Sequence, residues 1–222
     1  MLIFVDTETT GLSSEFDSLL EIAAVATDDE GNIIDKFHEY INPGRKIPAK
    51  IVELTHITDG QVEHCRTEWE VLTSFSDWVI GMGCTTMIAH NAPFDMRFLR
   101  DRSRVRFLTN TPFDRVNVVD TMAMVSTALK KKLFETKKTP TGRFSKKQED
   151  VANVLNIQYA AGGAHSAIND VLVLKTMYFK LKEMGKRMSV LTASPHVSLD
   201  PCLKRLGIFD LFENVWSCDD LN

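Results

Sequence analysis

Two carboxylates separated by a single residue lie at the end of the first apolar segment of the chain. Leu2–Val5 predicts a short β-strand, and Asp6-Thr7-Glu8 follows it directly. Side chains two residues apart on a strand share one face, so we expect Asp6 and Glu8 to point the same way. Adjacent carboxylates repel each other unless a positive charge lies between them. A lone Asp-x-Glu is more often a solvated strand end, so the pair needs further partners before it predicts a site.

A third carboxylate, Asp95, follows a later apolar strand. The sequence HNAPFD at 90–95 comes after the strand predicted at 85–89 and opens a helix predicted over 94–100. Asp95 lies three residues before Phe98 and therefore borders the apolar face of that helix. The helix dipole alone also favours an aspartate in a first helical turn, so both interpretations stay open at this point.

A fourth carboxylate, Asp170, lies on the apolar stripe of the last strong helix, predicted over 166–184. Ala167 and Leu174 flank it on that stripe, and a carboxylate among apolar neighbours must be paired, neutral or metal-bound. Ser166 is typical of an N-cap. His165 would then precede the helix on a glycine-rich loop, either free to reach a site or as an ordinary surface histidine.

The elements around these residues predict an α/β fold. A turn signal at 28–32 joins two strands into an antiparallel hairpin. Three strands followed by β/α alternation indicate a mixed sheet with helices packed on it. Strands are expected at 2–5, 19–27, 33–41, 85–89 and 116–119, and helices at 48–56, 67–81 (with Trp69, Leu72, Ser76 and Val79 at 3–4 spacing), 94–100, 121–131, 144–156 and 166–184.

Composition limits the classes of function. The net charge of −4 excludes a globally basic nucleic-acid binder, so phosphate contacts must come from a local patch or from bound metal. The four cysteines form no C-x-x-C pair, which argues against a zinc site. The chain shows no secretion signal and no membrane span, and scattered cysteines are then typical of reduced thiols. We therefore expect a cytoplasmic protein.

Taken together, the motifs resemble the DEDDh group of the DnaQ-like proofreading-exonuclease superfamily. The matching sequences are FVDTETTGL at 4–12, HNAPFD at 90–95 and the His-x4-Asp spacing of His165 and Asp170. The resemblance covers residues 1–184 and implies a ribonuclease H-like fold, with a mixed five-stranded sheet flanked by helices. We expect an exonuclease domain at 1–187 and a C-terminal appendage at 188–222, partly helical, with a candidate helix at 200–212.

The resemblance also implies an activity and its residues. The expected enzyme is a 3′–5′ exonuclease that hydrolyses phosphodiester bonds from the 3′ end and releases nucleoside 5′-monophosphates. It would use two divalent ions, Mg²⁺ or Mn²⁺, because hard cations prefer oxygen ligands and two of them support in-line displacement. The ions would be held by Asp6, Glu8, Asp95 and Asp170, with His165 as general base. Contacts to the terminal nucleotide would come from Thr9, Gly11, Leu12, His56, Asn91 and Phe94.

DNA is favoured over RNA because DTETTGL resembles the DNA-directed members of the superfamily. A DNA polymerase or replication complex is a candidate partner, and the sequence leaves the oligomeric state undetermined. Two alternatives stay open: a non-catalytic nucleic-acid-binding or docking domain, and an endonuclease or phosphatase of related fold. A degenerate domain would be expected to lose a ligand or the histidine, whereas all five residues are present.

One segment is strongly basic. Between 130 and 147 the sequence KKKLFETKKTPTGRFSKK contains a single acid, Glu135, and the aromatic residues Phe134 and Phe144. Single-strand binders combine positive charge with aromatic platforms. We expect Lys137, Lys138, Lys146 and Lys147 to contact substrate phosphates. The alternative is a solvated lysine loop.

Overall fold

Apolar and β-branched runs near the N-terminus pair into the antiparallel part of a five-stranded sheet. In the computed structural model, which describes residues 1–107, 111–160, 166–184, 188–191 and 212–216, strand β1 (Leu2–Thr9) pairs antiparallel with β2 (Leu19–Thr27). Strand β3 (Ile33–Tyr40) continues the antiparallel ladder, as the predicted hairpin requires. Strands β4 (Thr86–Ala89) and β5 (Asn117–Asp120) then add in parallel beside β1.

The order of the sheet is β3-β2-β1-β4-β5, so β1 is its central strand. The mixed five-stranded sheet is confirmed. Strand β1 extends to Thr9 rather than ending at Val5, and Asp6 and Glu8 therefore belong to the strand. Antiparallel pairing with β2 continues through Glu8↔Glu21 and satisfies the backbone of the polar half of β1. The ladder is irregular only after Glu8.

Helices cover both faces of the sheet. They are α1 (Ala49–Thr55), α2 (Asp59–Val62), α3 (Glu68–Gly81), α4 (Ala92–Phe107), α5 (Thr121–Lys130), α6 (Gln148–Val154) and α7 (Ala167–Met184), with a 3₁₀ turn at Pro112–Asp114. One buried apolar cluster lies between the sheet and helices α5, α6 and α7, and a second lies against α3 and α4. Both apolar clusters therefore include residues of β1. The C-terminal half of β1 lies at the edge of this core.

Several details of the helices differ from the predictions. Helix α4 continues to Phe107, beyond the 94–100 expected, and α2 has no predicted counterpart. The helix expected at 144–156 begins only at Gln148, because the backbone before it makes other hydrogen bonds: Ser145 N donates to the carbonyl of Lys137. In α3, Trp69 is 53% exposed and does not belong to the buried stripe. Val71 and Phe75 are fully buried there instead, so the periodicity had placed the apolar face slightly off.

The contacts divide the chain into Met1–Leu181 and Lys182–Asn222. Within the second unit, strands β6 (Met188–Leu191) and β7 (Phe212–Trp216) pair in parallel. Apart from Phe212, which begins β7, the helix expected at 200–212 lies outside the described residues. None of the helices in the described ranges is both long and apolar enough to cross a membrane.

Candidate active site

Three carboxylates meet at the C-terminal half of the central strand. Asp6 and Glu8 project from one face of β1, and Asp170 comes from the first turn of α7. One oxygen from each carboxylate lies within 4.8 Å of the other two. This spacing suits a shared cation, because hard divalent ions bind several carboxylate oxygens at once. The cluster joins residues more than 160 positions apart.

Asp95 lies next to this cluster but is oriented by Thr7. It is 3% exposed, and its Oδ1 accepts hydrogen bonds from the amide of Thr7 at 3.1 Å and from its hydroxyl at 2.8 Å. The predicted fourth ligand is therefore tied to the residue between the first two. It is not among the three whose oxygens lie within 4.8 Å of one another.

The electrostatics of these carboxylates favour a positive charge. Burial raises the pKa of Glu8 to about 8, and the carboxylates of Glu21, Asp170 and Asp95 add to the shift. Burial and the neighbouring carboxylates Asp95 and Glu8 likewise hold the pKa of Asp6 well above its usual range. Burial also raises the pKa of Asp95, against the lowering effect of the Thr7 hydrogen bonds. A divalent cation bound here would offset the burial and repulsion and favour the ionised carboxylates.

Glu21, whose role the sequence left open, is buried on β2 opposite Glu8. His38 on β3 lies beside it, with Nε2 2.6 Å from Glu21 Oε1. The His38 imidazole is therefore a partner of the Glu21 carboxylate, and it lies on β3, one strand further from the cluster than β2. Glu21 thus acts on the site through its charge, which raises the pKa of Glu8 and of Asp6.

Asp120 connects the starts of helices α4 and α5 beside the cluster. Its Oδ1 caps α5 by accepting from Met122 N at 3.0 Å. The same oxygen accepts from the amides of Asn91 at 2.9 Å and Ala92 at 3.3 Å, at the start of α4. Asn91 has φ 69°, in the left-handed region. This shared carboxylate holds the HNAPFD turn in place at the start of α4.

The loop after β1 exposes apolar side chains at this end of the strand. Leu12 is 80% and Phe16 is 68% exposed. The loop is nevertheless well bonded, since the Asp17 carboxylate accepts from Ser13 N at 3.0 Å. A Cβ on Gly11 would lie 2.4–2.6 Å from that carboxylate, so a larger residue there would have to displace the Asp17 side chain from its hydrogen bond to Ser13. Exposed apolar groups on an ordered loop are typical of a binding surface.

The basic segment forms a hairpin, residues 137–147, which we call the basic hairpin. Lys138 and Phe144 are bridge partners, and the Lys138 ammonium lies 5.8 Å from the Phe144 ring centroid. His90 Nε2, 2.7 Å from the carbonyl oxygen of Lys146, joins the hairpin to the HNAPFD turn. Lys138, Lys146 and Lys147 are exposed. The hairpin therefore lies beside the turn that leads into α4, the helix that carries Asp95.

Two members of the basic segment have structural partners. The Lys137 ammonium is 2.7 Å from Asp150 Oδ1, and Asp150 is 5% exposed. Because this ion pair closes the base of the hairpin, Lys137 is less available for phosphate than the other three lysines. Phe134 packs against the core cluster under α5 and α6, which leaves Phe144 as the aromatic residue on the hairpin itself.

The other residues predicted to form the site have separate local contacts. Thr9 is buried, with its hydroxyl bonded to the carbonyl of Gly11 at 2.6 Å. His56 is exposed and ends α1 with φ 61°. Phe94 packs on Phe98, with ring centroids 5.1 Å apart. His165, the predicted general base, lies outside the described residues.

Sequence reasoning missed residues that act through long-range contacts. Thr7 orients Asp95, and Gln148, the first residue of α6, donates to Asp170. The only signal for Thr7 was its position between two carboxylates. Gln148 carried no signal, because its partner lies 22 residues away.

Comparison with known proteins gives one family and a set of similar structures. A family model described as Exonuclease (RNase_T) matches residues 3–178. Over 97 residues the chain is 46% identical to a DNA polymerase III PolC-type protein of Staphylococcus haemolyticus and 44% identical to that of Staphylococcus aureus. Each match covers 44% of this chain but 6% of the relative.

Similar solved structures include several of exonuclease I. Exonuclease I of E. coli in complex with a dA16 oligonucleotide superposes with a TM-score of 0.68 at 21% identity, covering 82% of this chain and 40% of that one. Exonuclease I of Methylocaldum szegediense gives a TM-score of 0.69 at 22% identity, covering 83% and 40%. A zinc-bound form of the E. coli exonuclease I–ssDNA complex gives 0.69 at 19% identity, with the same coverage. At these identities the likeness concerns the fold, which is thus the ribonuclease H-like fold expected.

Proposed function

Because the chain belongs to the RNase_T family of exonucleases, we propose that the carboxylate cluster hydrolyses phosphodiester bonds at the 3′ end of single-stranded or mismatched DNA and releases nucleoside 5′-monophosphates. The observation that carries the proposal is the convergence of Asp6, Glu8 and Asp170 within 4.8 Å, beside the buried Asp95. A docking domain without catalysis has no need for buried, mutually repelling carboxylates.

The residues present fit a divalent metal. Within the described residues the cluster offers oxygen donors, and burial beside other carboxylates raises the pKa of Asp6 and of Glu8, so a bound cation would stabilise their ionised forms. Asp6, Glu8 and Asp170 would hold the ion directly, and Asp95 would complete the set for a second one. Bound Mg²⁺ or Mn²⁺ would lower the pKa of a coordinated water and neutralise charge on the phosphoryl oxygens.

The chain's own residues have separate tasks in this reaction. His165 accepts the proton of the attacking water, which suits an imidazole that titrates near neutral pH. Thr7 holds Asp95 in one orientation through two hydrogen bonds. Asp120 fixes the start of α4, and with it Asn91 and Asp95, relative to β1. The Asp95 carboxylate is therefore held in position before water and phosphate bind.

The DNA strand would contact two features, the loop after β1 and the basic hairpin. The exposed Leu12 would contact the terminal base, with Thr9 and Gly11 shaping the loop beneath it and His56, Asn91 and Phe94 lining the same pocket. Lys138, Lys146 and Lys147 on the basic hairpin would contact phosphates further from the end. The DNA complexes of similar exonucleases I, and the relation to PolC-type polymerases, favour DNA as substrate and a polymerase as partner.

The test is a direct comparison of substrates and variants. Purified protein is incubated with Mg²⁺ or Mn²⁺ and 5′-labelled single-stranded DNA, duplex DNA with a mismatched 3′ end, or RNA. We expect a ladder of products shortened from the 3′ end, fastest on single-stranded or mismatched DNA, and no cleavage by Asp6→Asn or Asp170→Asn. Undiminished cleavage by Asp6→Asn refutes the carboxylate mechanism. Equal or faster cleavage of RNA refutes the preference for DNA.

The same variants separate metal binding from folding. Divalent ions should raise the melting temperature of the wild-type protein by mass action, and Asp6→Asn or Asp170→Asn should reduce that rise. Asp77→Asn, a substitution of an exposed aspartate on α3, serves as the matched control and should preserve both the rise and the activity.

A further inference from the structure

Asp170 has an amide donor fixed against it. Gln148 Nε2 lies 3.0 Å from the carbonyl oxygen of Asp170 and 3.1 Å from its Oδ1. Tyr159 belongs to the same network through side-chain hydrogen bonds to Gln148 and Asp170. One glutamine thus bonds the backbone and the carboxylate of a single residue, which restricts both the position and the rotation of that carboxylate.

The helix that carries Gln148 is held rigidly. Gln148 is the first residue of α6, whose Val151 and Ala152 are fully buried. In the same turn, the carboxylate of Asp150 accepts a hydrogen bond from the Ser145 hydroxyl and pairs with Lys137. These contacts fix the backbone of α6 and thereby the position from which the Gln148 amide reaches Asp170.

The cluster needs such a donor. One oxygen each of Asp6, Glu8 and Asp170 lies within 4.8 Å of the other two, so the three groups repel one another when ionised. Repulsion favours a rotation of the Asp170 side chain away from β1. The hydrogen bond from Gln148 Nε2 to Oδ1 opposes that rotation. Partners that orient a ligand in this way typically change metal affinity or activity by about 10–100-fold.

We propose that Gln148 is a positioning residue that holds the Asp170 carboxylate ready for the divalent cation before the metal arrives. This inference rests on the proposed function, since it assigns Asp170 to the metal. It adds that part of the metal affinity resides in α6, the helix that directly follows the basic hairpin, and not in the carboxylates alone.

Metal binding by the protein without DNA gives the test. Mn²⁺ and Mg²⁺ are titrated calorimetrically into the wild-type protein and into Gln148→Met, which keeps the length of the side chain but removes its donor. We expect the dissociation constant of Gln148→Met to rise by about 10-fold or more, and its exonuclease rate to recover largely at saturating metal while KM for DNA stays unchanged. Gln158→Met, at an exposed glutamine, is the control and should bind as the wild type does.

A second variant covers the case in which Gln148→Met does not fold. Gln148→Asn keeps an amide, but its side chain is one methylene too short to reach both the carbonyl oxygen and Oδ1 of Asp170. We expect the same loss of affinity. If the folded Gln148 variants bind metal within twofold of the wild type, the inference is wrong. If Asp170→Asn also binds metal normally, the proposed function fails as well, so the two failures can be distinguished.

Discussion

Thr7 and Asp95 are joined by two hydrogen bonds across 88 residues of sequence: the amide and the hydroxyl of Thr7 both donate to Asp95 Oδ1, at 3.1 and 2.8 Å. The two residues around Thr7 on β1 are Asp6 and Glu8. The strand that supplies two carboxylates to the cluster therefore also positions the carboxylate of α4. This relationship makes Thr7 part of the site although it cannot itself ionise.

Removal of the Thr7 hydroxyl should destabilise the protein. Thr7→Val keeps the shape of the side chain but leaves the buried Asp95 with one donor fewer, at a cost of about 1–3 kcal/mol in the free energy of unfolding. Thr7→Ser keeps the hydroxyl and is the matched control. Urea denaturation followed by circular dichroism measures both, and equal stability of the two variants would contradict the assignment.

The metal-free protein should lose stability as the pH rises from about 4.5 to about 8. The pKa of Glu8 is raised to about 8 in the folded state, so in this window the folded protein holds a proton that the unfolded chain has released. The unfolded state then binds fewer protons, and stability falls with increasing pH. Asp6, whose pKa is also raised, acts in the same direction.

Glu8→Gln should flatten this pH profile, measured as melting temperature in EDTA. Glu53→Gln, at an exposed glutamate on α1, should leave the profile of the wild type unchanged. Saturating Mg²⁺ should remove most of the loss above pH 7, because the cation compensates the ionised carboxylates. A wild-type profile in EDTA that rises over this window would contradict the electrostatic description of the cluster.

His165→Ala should lower the turnover number by about 10²–10⁴-fold and leave the melting temperature and its response to Mg²⁺ close to those of the wild type. The reason is that a general base acts on the attacking water and contributes little to packing. The measurement is single-turnover cleavage of labelled DNA. If the fold is lost without a specific loss of rate, His165 has a structural role instead.

The basic hairpin should govern the salt dependence of strand binding. Each phosphate contact that is lost lowers the log–log salt slope by about 0.7. Replacement of Lys138, Lys146 and Lys147 by alanine should therefore flatten the slope by about 2 and raise KM, while the rate at saturating DNA stays nearly constant. Fluorescence anisotropy of a labelled single strand, measured from low to high salt, gives the slope.

The control for the hairpin is the triple replacement of Lys36, Lys131 and Lys132, which changes the net charge equally at other exposed positions. Lys137→Ala should behave differently from both. It should lower stability because it leaves Asp150, which is 5% exposed, without its cation. An unchanged slope and KM in the hairpin variant would identify the segment as a solvated loop and leave the catalytic assignment intact.

Local pattern was sufficient to predict much of this protein. Strand alternation places Asp6 and Glu8 on one face, because side chains on a strand repeat every two residues. Apolar periodicity predicted the strands of the sheet and most helices within a few residues, and the three motifs identified the family. The main errors had local causes too: polar residues carry β1 further than its apolar run, and the hydrogen bonds of the hairpin delay the start of α6.

Only the tertiary structure decided which groups meet. No periodicity in the sequence states that Asp170 comes within 4.8 Å of β1, that Asp95 turns toward Thr7, or that Glu21 pairs with His38. Gln148 beside Asp170 is a contact of the same kind. The contacts of Asp170, Asp95 and Gln148 depend on how helices pack on the sheet, that is, on the sum of many weak apolar contacts between distant segments. The contact of Glu21 with His38 depends on the register between β2 and β3. Short motifs record which residue types are present, whereas packing determines their distances and therefore their pKa values.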